Sequence, residues 1–412
     1  MIRQLTTILF LIPLSAATLL GGVRININNP GRTDRLAEVV EIPLAEISDR
    51  LDLKDGETFV ITGKDSEVPY QITYDGKVIF PIELKAKEKV SFYIDKGTPS
   101  EVTVKVCGKH YPKRVDDIAW ENDLSAYRVY GYKEDSASGY DIFAKRSTDL
   151  PVLPEMYRRP ADPELKRIRN EKKKISKDSA DRFNWDHISF HVDHGFGADC
   201  YGVGPTLGAG VAALLDGEQI VYPFCYDSFE ILDNGPIRFT MKLTFRPFDA
   251  AGVKNIIETR VITLDLGSRL NRTDVTFANL DKAMPIVAGI VLQDKDEKGV
   301  GNKDKGYIAY PAPTMNFDKH KHVDNGTIYV GNYTPEKVTK TEFRYFSKEE
   351  SKKRGNSKGH ILLHSEYRPG ETFTYYWGNG WNHWDIESYE EWIDYLERFS
   401  DQHNEPLKIR IK

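Results

Sequence analysis

Cysteine is scarce: Cys107, Cys200 and Cys225 are the only three in 412 residues. That is too few for a disulfide framework, so a small stapled scaffold is excluded and the fold must rest on packed cores. Cys200 and Cys225 lie in neighbouring apolar segments and form the better-placed pair, while burial as free thiols would serve the packing equally well. Excess positive charge is also absent. With 57 basic and 62 acidic residues the net charge is -5, which removes a global argument for nucleic-acid binding. Long hydrophobic runs are missing beyond the first two dozen residues. The run TTILFLIPLSAATLL, preceded by Arg3 and rich in small residues up to Gly21, is too short for a membrane anchor. It reads as a secretory signal peptide over residues 1–22, so a soluble product in the periplasm or outside the cell is expected. No cysteine stands near the cleavage region to take a lipid.

Motifs are missing too. The chain has no phosphate-cradling glycine loop, nucleophile elbow, His-Glu-x-x-His pair, calcium loop or dinucleotide fingerprint. Gly202–Gly210 (GVGPTLGAG) is glycine-rich, but Pro205 and the β-rich surroundings argue against a dinucleotide turn. No repeat of solenoid or propeller period is present.

Short apolar units separated by turn signals fill the rest of the chain. Residues 23–105 read as a small β-sandwich, with Tyr74-Asp75-Gly76-Lys77 as a hairpin turn. Residues 112–412 hold about a dozen further strands without alternating helices, which points to a large antiparallel sandwich. Within it, residues 158–182 carry ten basic and five acidic residues and almost no large apolar group. Such a stretch cannot bury a core face, so an exposed insertion, partly helical or mobile, is expected. Its functional reading is a cationic flap over an acidic substrate; its plain reading is a solvated loop. Near the end, Ser388 and Glu391 form a capping box, and Tyr389, Trp392, Ile393, Leu396 and Phe399 share one helical face. PLKIRI then reads as a last strand.

The densest chemistry lies in WDHISFHVDHGFGADCYGVG, from Trp185 to Gly204. Ile188, Phe190 and Val192 alternate with His187, Ser189, His191 and Asp193, the two-residue period of a half-buried strand. His194, Asp199 and a glycine-rich turn follow. Imidazoles and carboxylates also suit a divalent metal, although the spacing is not that of a helical zinc site, and no cofactor is expected.

The segments AWENDLSAYRVYG, GADCYGVGPTLGAGV, NGPIRFTMKLTF and FTYYWGNGW, in that order, resemble a secreted bacterial family, the domain of unknown function DUF4861. The resemblance implies a galactose-mutarotase-type supersandwich of polysaccharide-degrading systems, hence a carbohydrate ligand such as a uronate-containing oligo- or polysaccharide. On that expectation, Trp120, Tyr226 and Trp381 are candidates to stack on sugar rings, and Glu121, Lys145, Asp193 and Asp199 to bind their polar groups. For a lyase, His187, His191 or His194 would serve as base, Arg238 or Lys145 as partner of the uronate, and Tyr201 or Tyr226 as acid. A hydrolase would need two of Glu121, Asp193, Asp199 and Glu258 to converge. A sugar epimerase and a non-catalytic glycan-binding module are the remaining alternatives.

Overall fold

A computed structural model describes residues 22–64, 66–131, 139–148, 152–318 and 323–412. The expected signal peptide, apart from Gly22, lies outside the described residues. The N-terminal residues build two facing sheets. One orders Lys408–Ile411, Val23–Asn28, Lys89–Lys96, Phe59–Thr62 and Glu67–Val68; the other orders Arg35–Pro43, Lys77–Leu84 and Gln71–Ile72. Alternation drives this pairing: Val23, Ile25 and Ile27 point inward to meet Val40, Ile42, Phe80, Ile82 and Ile94. The hairpin at Tyr74–Lys77 forms as read, with Gly76 at φ +73° and its amide bonded to Thr73 O. The last strand, PLKIRI, closes not on the large sheets but here, with Ile25 opposite Ile411. The residues assigned on sequence to the large unit thus end inside the small one.

The larger unit packs two layers. A nine-stranded antiparallel sheet runs in the order Ser228–Asn234, Arg238–Thr244, Val253–Asp265, Leu270–Ala278, Phe373–Trp381, Thr327–Tyr333, Tyr307–Pro313 and Val300–Asn302, with Phe248–Ala250 paired onto the third strand. Facing it are two five-stranded sheets. One is centred on Met284–Leu292; the other orders Gly197–Ala198, Asp141–Lys145, Ala126–Val129, Asp117–Glu121 and Cys107–Tyr111. Bridges Gly131–Tyr226 and Tyr140–Gly208 tie the two together. Their inner faces share one core with the nine-stranded sheet, including Trp120, Tyr127, Leu214, Phe239, Ile262, Ile290, Leu362 and Trp377. This is the expected mainly β architecture, a small sandwich beside a large antiparallel supersandwich.

Among the described residues six helices decorate it: α1 (Leu44–Leu51), α2 (Leu153–Ala161), α3 (Pro163–Ile175), α4 (Lys177–His187), α5 (Lys348–Lys353) and α6 (Tyr389–Asn404). In α6, Ser388 Oγ accepts from Glu391 N, and Trp392 and Leu396 bury against Tyr307, Tyr329 and Tyr333. The charged insertion is almost wholly helical, forming α2 to α4. None of Cys107, Cys200 and Cys225 is in a disulfide, so the Cys200–Cys225 bridge does not form.

One local reading is overturned. Residues 187–193 are not a strand: α4 runs through His187, and Asn184 O accepts both Ile188 N and Ser189 N as the helix ends. Seven residues of alternation fit a helix end followed by turns equally well, because Ile188 and Phe190 both still reach apolar cover and are buried. The segment regains the sheet only at Gly197–Ala198, where φ is +119° and an added Cβ would lie 2.0 Å from Ala144 O. Only glycine admits that approach.

Candidate functional site

The outer face of the Asp117–Glu121, Ala126–Val129 and Asp141–Lys145 strands sets up the site. Ile118, Trp120, Tyr127, Ile142 and Ala144 point to the main core, so Asp117, Glu121, Arg128, Asp141 and Lys145 point the other way. That face is itself buried, beneath Leu153 and Met156 of α2 and Phe190. Charges held there are paired. Lys145 Nζ lies 2.8 Å from Glu121 Oε2 and donates to Asn122 O, while the Glu121 carboxylate also accepts the amides of Val152 (2.8 Å) and Leu153 (2.9 Å). Because Val152 offers no capping side chain, Glu121 satisfies the first amides of α2 instead.

Beside this pair, Arg128 binds Asp141 through Nε (3.0 Å) and Nη2, and Asp199 through Nη2 (3.1 Å). Tyr130 OH donates to Asp141 (2.6 Å) and Tyr157 OH to Asp117 (3.0 Å). Burial pushes Asp117 up to about 6 against the pull of Arg128 and Arg114, and burial together with the Asp199 charge raises Asp141.

Asp199 joins this cluster to the histidine segment. His191 Nδ1 is 2.7 Å from Asp199 O. A carbonyl only accepts, so Nδ1 carries the proton, and the neutral ring keeps its lone pair on Nε2. Among the described residues Nε2 has no protein partner, and the ring lines a cleft of about 480 Å³. The cleft is bounded by Lys166, Arg169 and Asn170 of α3, Asn184 of α4, and Ser189, His191 and Asp318. Ser189 Oγ hydrogen-bonds Asp318, and the Phe317 ring, 45% exposed, stands 4.9 Å from the His191 ring. Neither Lys166 nor Arg169 has a carboxylate partner among the described residues, whereas Arg167 on the far side of α3 bonds both Glu164 and Glu171. The cleft therefore combines two free cations, two amides, one imidazole and one carboxylate, and the Phe317 ring stands beside the imidazole.

The loop that carries His191 is braced from behind. Burial raises Asp193, but Arg146 and the amides of Gly197 and Gly195 outweigh it and hold the carboxylate below its usual range. His194 Nε2 donates to Ser189 O at 2.9 Å, and burial lowers its basicity. Trp381 Nε1 donates to Asn325 O (2.7 Å), and Asn325 Nδ2 reaches His191 O (3.5 Å).

Of the residues singled out from sequence, the structure brings His191 to the cleft and sets Asp193, His194, Asp199 and Trp381 in support of its loop. His187 is exposed at the end of α4, its ring 4.6 Å from Phe183. Glu121 and Lys145 are buried with each other. Tyr201 is fully buried, Tyr226 OH donates to Asp116 O, and Trp120 Nε1 donates to Asn271 Oδ1 (2.8 Å) in the core. Arg238 forks onto Asp265 (2.6 and 2.7 Å) and reaches Glu41 of the small sandwich (2.7 Å). Glu258 is buried against Arg260. These side chains do not line the cleft. Sequence reading passed over Lys166, Arg169, Asn170, Asn184, Ser189, Phe317 and Asp318; the charge imbalance of residues 158–182 was the signal for the first two. Among the described residues no three His, Cys, Asp or Glu side chains are grouped to hold a metal ion, and no helix is long and apolar enough to cross a membrane.

Comparison with known proteins gives four findings. The family described as "Domain of unknown function (DUF4861)" matches residues 27–409. An "Uncharacterized protein P7" of Formosa agariphila is 26% identical over 352 residues, covering 81% of this chain and 78% of that protein. Among solved structures, a protein in the glycosyl hydrolase family 38 from Enterococcus faecalis aligns with a TM-score of 0.47 at 9% identity, over 95% of this chain and 48% of that one. An α-mannosidase from Enterococcus faecalis V583 aligns with a TM-score of 0.45 at 9% identity, over 95% of this chain and 46% of that one. The chain thus spans about half the length of these two solved structures.

Proposed function

The chain belongs to the family described as domain of unknown function (DUF4861), and we propose that it binds uronate-containing saccharides in the α3–α4 cleft and cleaves them by β-elimination. One observation carries this reading: an imidazole with a free Nε2 and two unpaired cations line the same open cleft. The resemblance of the sequence to supersandwich proteins of polysaccharide-degrading systems supports a sugar, and Lys166 with Arg169 supports an acidic one. Phe317 offers a flat face to the C–H side of a pyranose ring, and Asn170 and Asn184 suit its hydroxyls.

The chemistry follows from these roles. His191 Nε2 takes the proton from the carbon next to the uronate carboxylate, and the negative charge developing on that carboxylate is held by Arg169 and Lys166. The electron pair left behind forms the carbon–carbon double bond as the bond to the glycosidic oxygen breaks, and the His191 imidazolium returns its proton to the leaving oxygen. Hydrolysis fits less well. It requires two carboxyl groups across the scissile bond, and among the described residues the cleft presents only Asp318. Asp193 and Asp199 are both turned away, to Arg146 and Arg128. The signal-like residues 1–22 support export, and with it an activity in the periplasm or outside the cell.

Arg169→Ala is expected to weaken binding of a galacturonate disaccharide by roughly tenfold, the loss of one charge-assisted contact. Calorimetric titration of wild type and variant measures it. Equal affinities, or equal binding of a neutral disaccharide, would remove the cation from the site.

A further inference from the structure

The cleft opens onto a row of cations that the elimination chemistry does not use. On α3, Lys173 follows Lys166 by seven residues and Arg169 by four, so all three share one helical face. On α4, Lys177 precedes Asn184 by seven and shares the face that Asn184 turns to the cleft. Both faces run from the cleft towards Ser176, where the two helices meet. Lys166, Arg169, Lys173 and Lys177 are exposed and have no ion-pair partner among the described residues. Lys172, Lys174 and Arg182 also lack an ion-pair partner among the described residues, whereas Arg158 is paired with Glu155 and Asp162, Arg159 with Glu155, and Arg167 with Glu164 and Glu171; what sets the row apart is its shared face with the cleft. The acids of α3 are thus spent on its other face. Carrying four unpaired cations in one line has a cost in self-repulsion that an isolated solvated helix would relieve with the acids it already has.

We propose that this row is a track for a linear anionic polysaccharide, whose charged sugars follow α3 from the cleft towards Ser176, so that the protein takes polymer chains rather than free mono- or disaccharides. The proposal rests on the uronate reading of the cleft. Successive cations at positions 166, 169 and 173 are about 4.5 and 6 Å apart along the helix axis, a spacing that a chain bearing one acid per ring can follow. The overall charge of -5 opposes indiscriminate capture of nucleic acid, and the Phe183 ring of α4 has Lys172 Nζ 5.5 Å from its centroid, a cation in the place of a stacked base.

The test compares polygalacturonate with a galacturonate disaccharide on the full protein, with dextran and single-stranded DNA as controls, in wild type and Lys173→Glu/Lys177→Glu. The expected result is polymer affinity at least tenfold above that of the disaccharide in wild type, falling steeply with salt, and a collapse of that ratio in the double variant. A second variant, Lys173→Gln/Lys177→Gln, lowers the ratio by a smaller factor and guards against an effect of charge reversal on folding. The track is overturned if the ratio survives both variants while Arg169→Ala still weakens disaccharide binding, or if DNA binds as tightly as polygalacturonate. Failure of wild type to bind either uronide overturns the cleft reading and the track together.

Discussion

Replacing His191 with alanine lowers the rate of uronide elimination by about 10²–10⁴-fold, the usual contribution of a positioned general base, and leaves the melting temperature nearly unchanged. The reason for the large effect is that no second imidazole can stand in. His194 is committed to Ser189 O, and His187 lies on the exposed end of α4. The reason for the small structural effect is that His191 is only part-buried and its ring holds the loop through one hydrogen bond, to Asp199 O, while Asp193, Asn325 and the Asp199 amide hold the rest. His191→Gln keeps a hydrogen-bonding side chain without a base and should be nearly as slow. Kinetics on polygalacturonate, together with thermal melts of the same preparations, decide the matter; a His191→Ala protein with full activity would remove the imidazole from the chemistry.

Lys145→Met should destabilise the protein by roughly 3–5 kcal/mol, the range for breaking a buried ion pair by removing one partner. Lys145 and Glu121 are essentially inaccessible, at 1% and 0% side-chain exposure. Without the ammonium, Glu121 keeps only the Val152 and Leu153 amides as donors, and the carboxylate must either stay charged in a dry site or take up a proton. Because those amides open α2, the helix that roofs this face loses its N-terminal anchor as well. The double change Glu121→Gln/Lys145→Met restores most of the loss, since it removes both charges and leaves an amide oxygen to accept from α2. Urea unfolding of the two variants and wild type measures both effects. A single variant within about 1 kcal/mol of wild type would mean that water reaches this face.

The fold was legible wherever a local pattern met a local cause. The α6 capping box, the Asp75-Gly76 hairpin and the inward alternation of Val23, Ile25 and Ile27 each needed only neighbouring residues to settle them. The pairing of Ile411 with Ile25 was not legible, because PLKIRI would satisfy any sheet edge and only the full topology chooses one. The histidine segment misled for a related reason: seven residues carry too little periodicity to separate a strand from a helix end, and the asparagine carbonyl that ends α4 gives no signal in the pattern. At the site, residue types pointed towards acidic sugars, but their partners did not show. Arg238 and Lys145 read as free cations in sequence and are bound to Asp265 and Glu121 in the structure. Lys166 and Arg169 read as solvated charge and are the pair left unbound. Asp318 enters the cleft from more than a hundred residues away, through a tie between Met315 N and Cys200 O that nothing local foretells.

The most direct measurement is to incubate the mature protein with polygalacturonate and other uronate-containing glycans while following ultraviolet absorbance and reducing ends together. Elimination creates a double bond conjugated to the carboxylate, so absorbance and reducing ends should rise in equal proportion, and both should stop in His191→Ala. Reducing ends without absorbance would show hydrolysis and contradict the account; tight binding with neither signal would show that the cleft holds its sugar without cutting it.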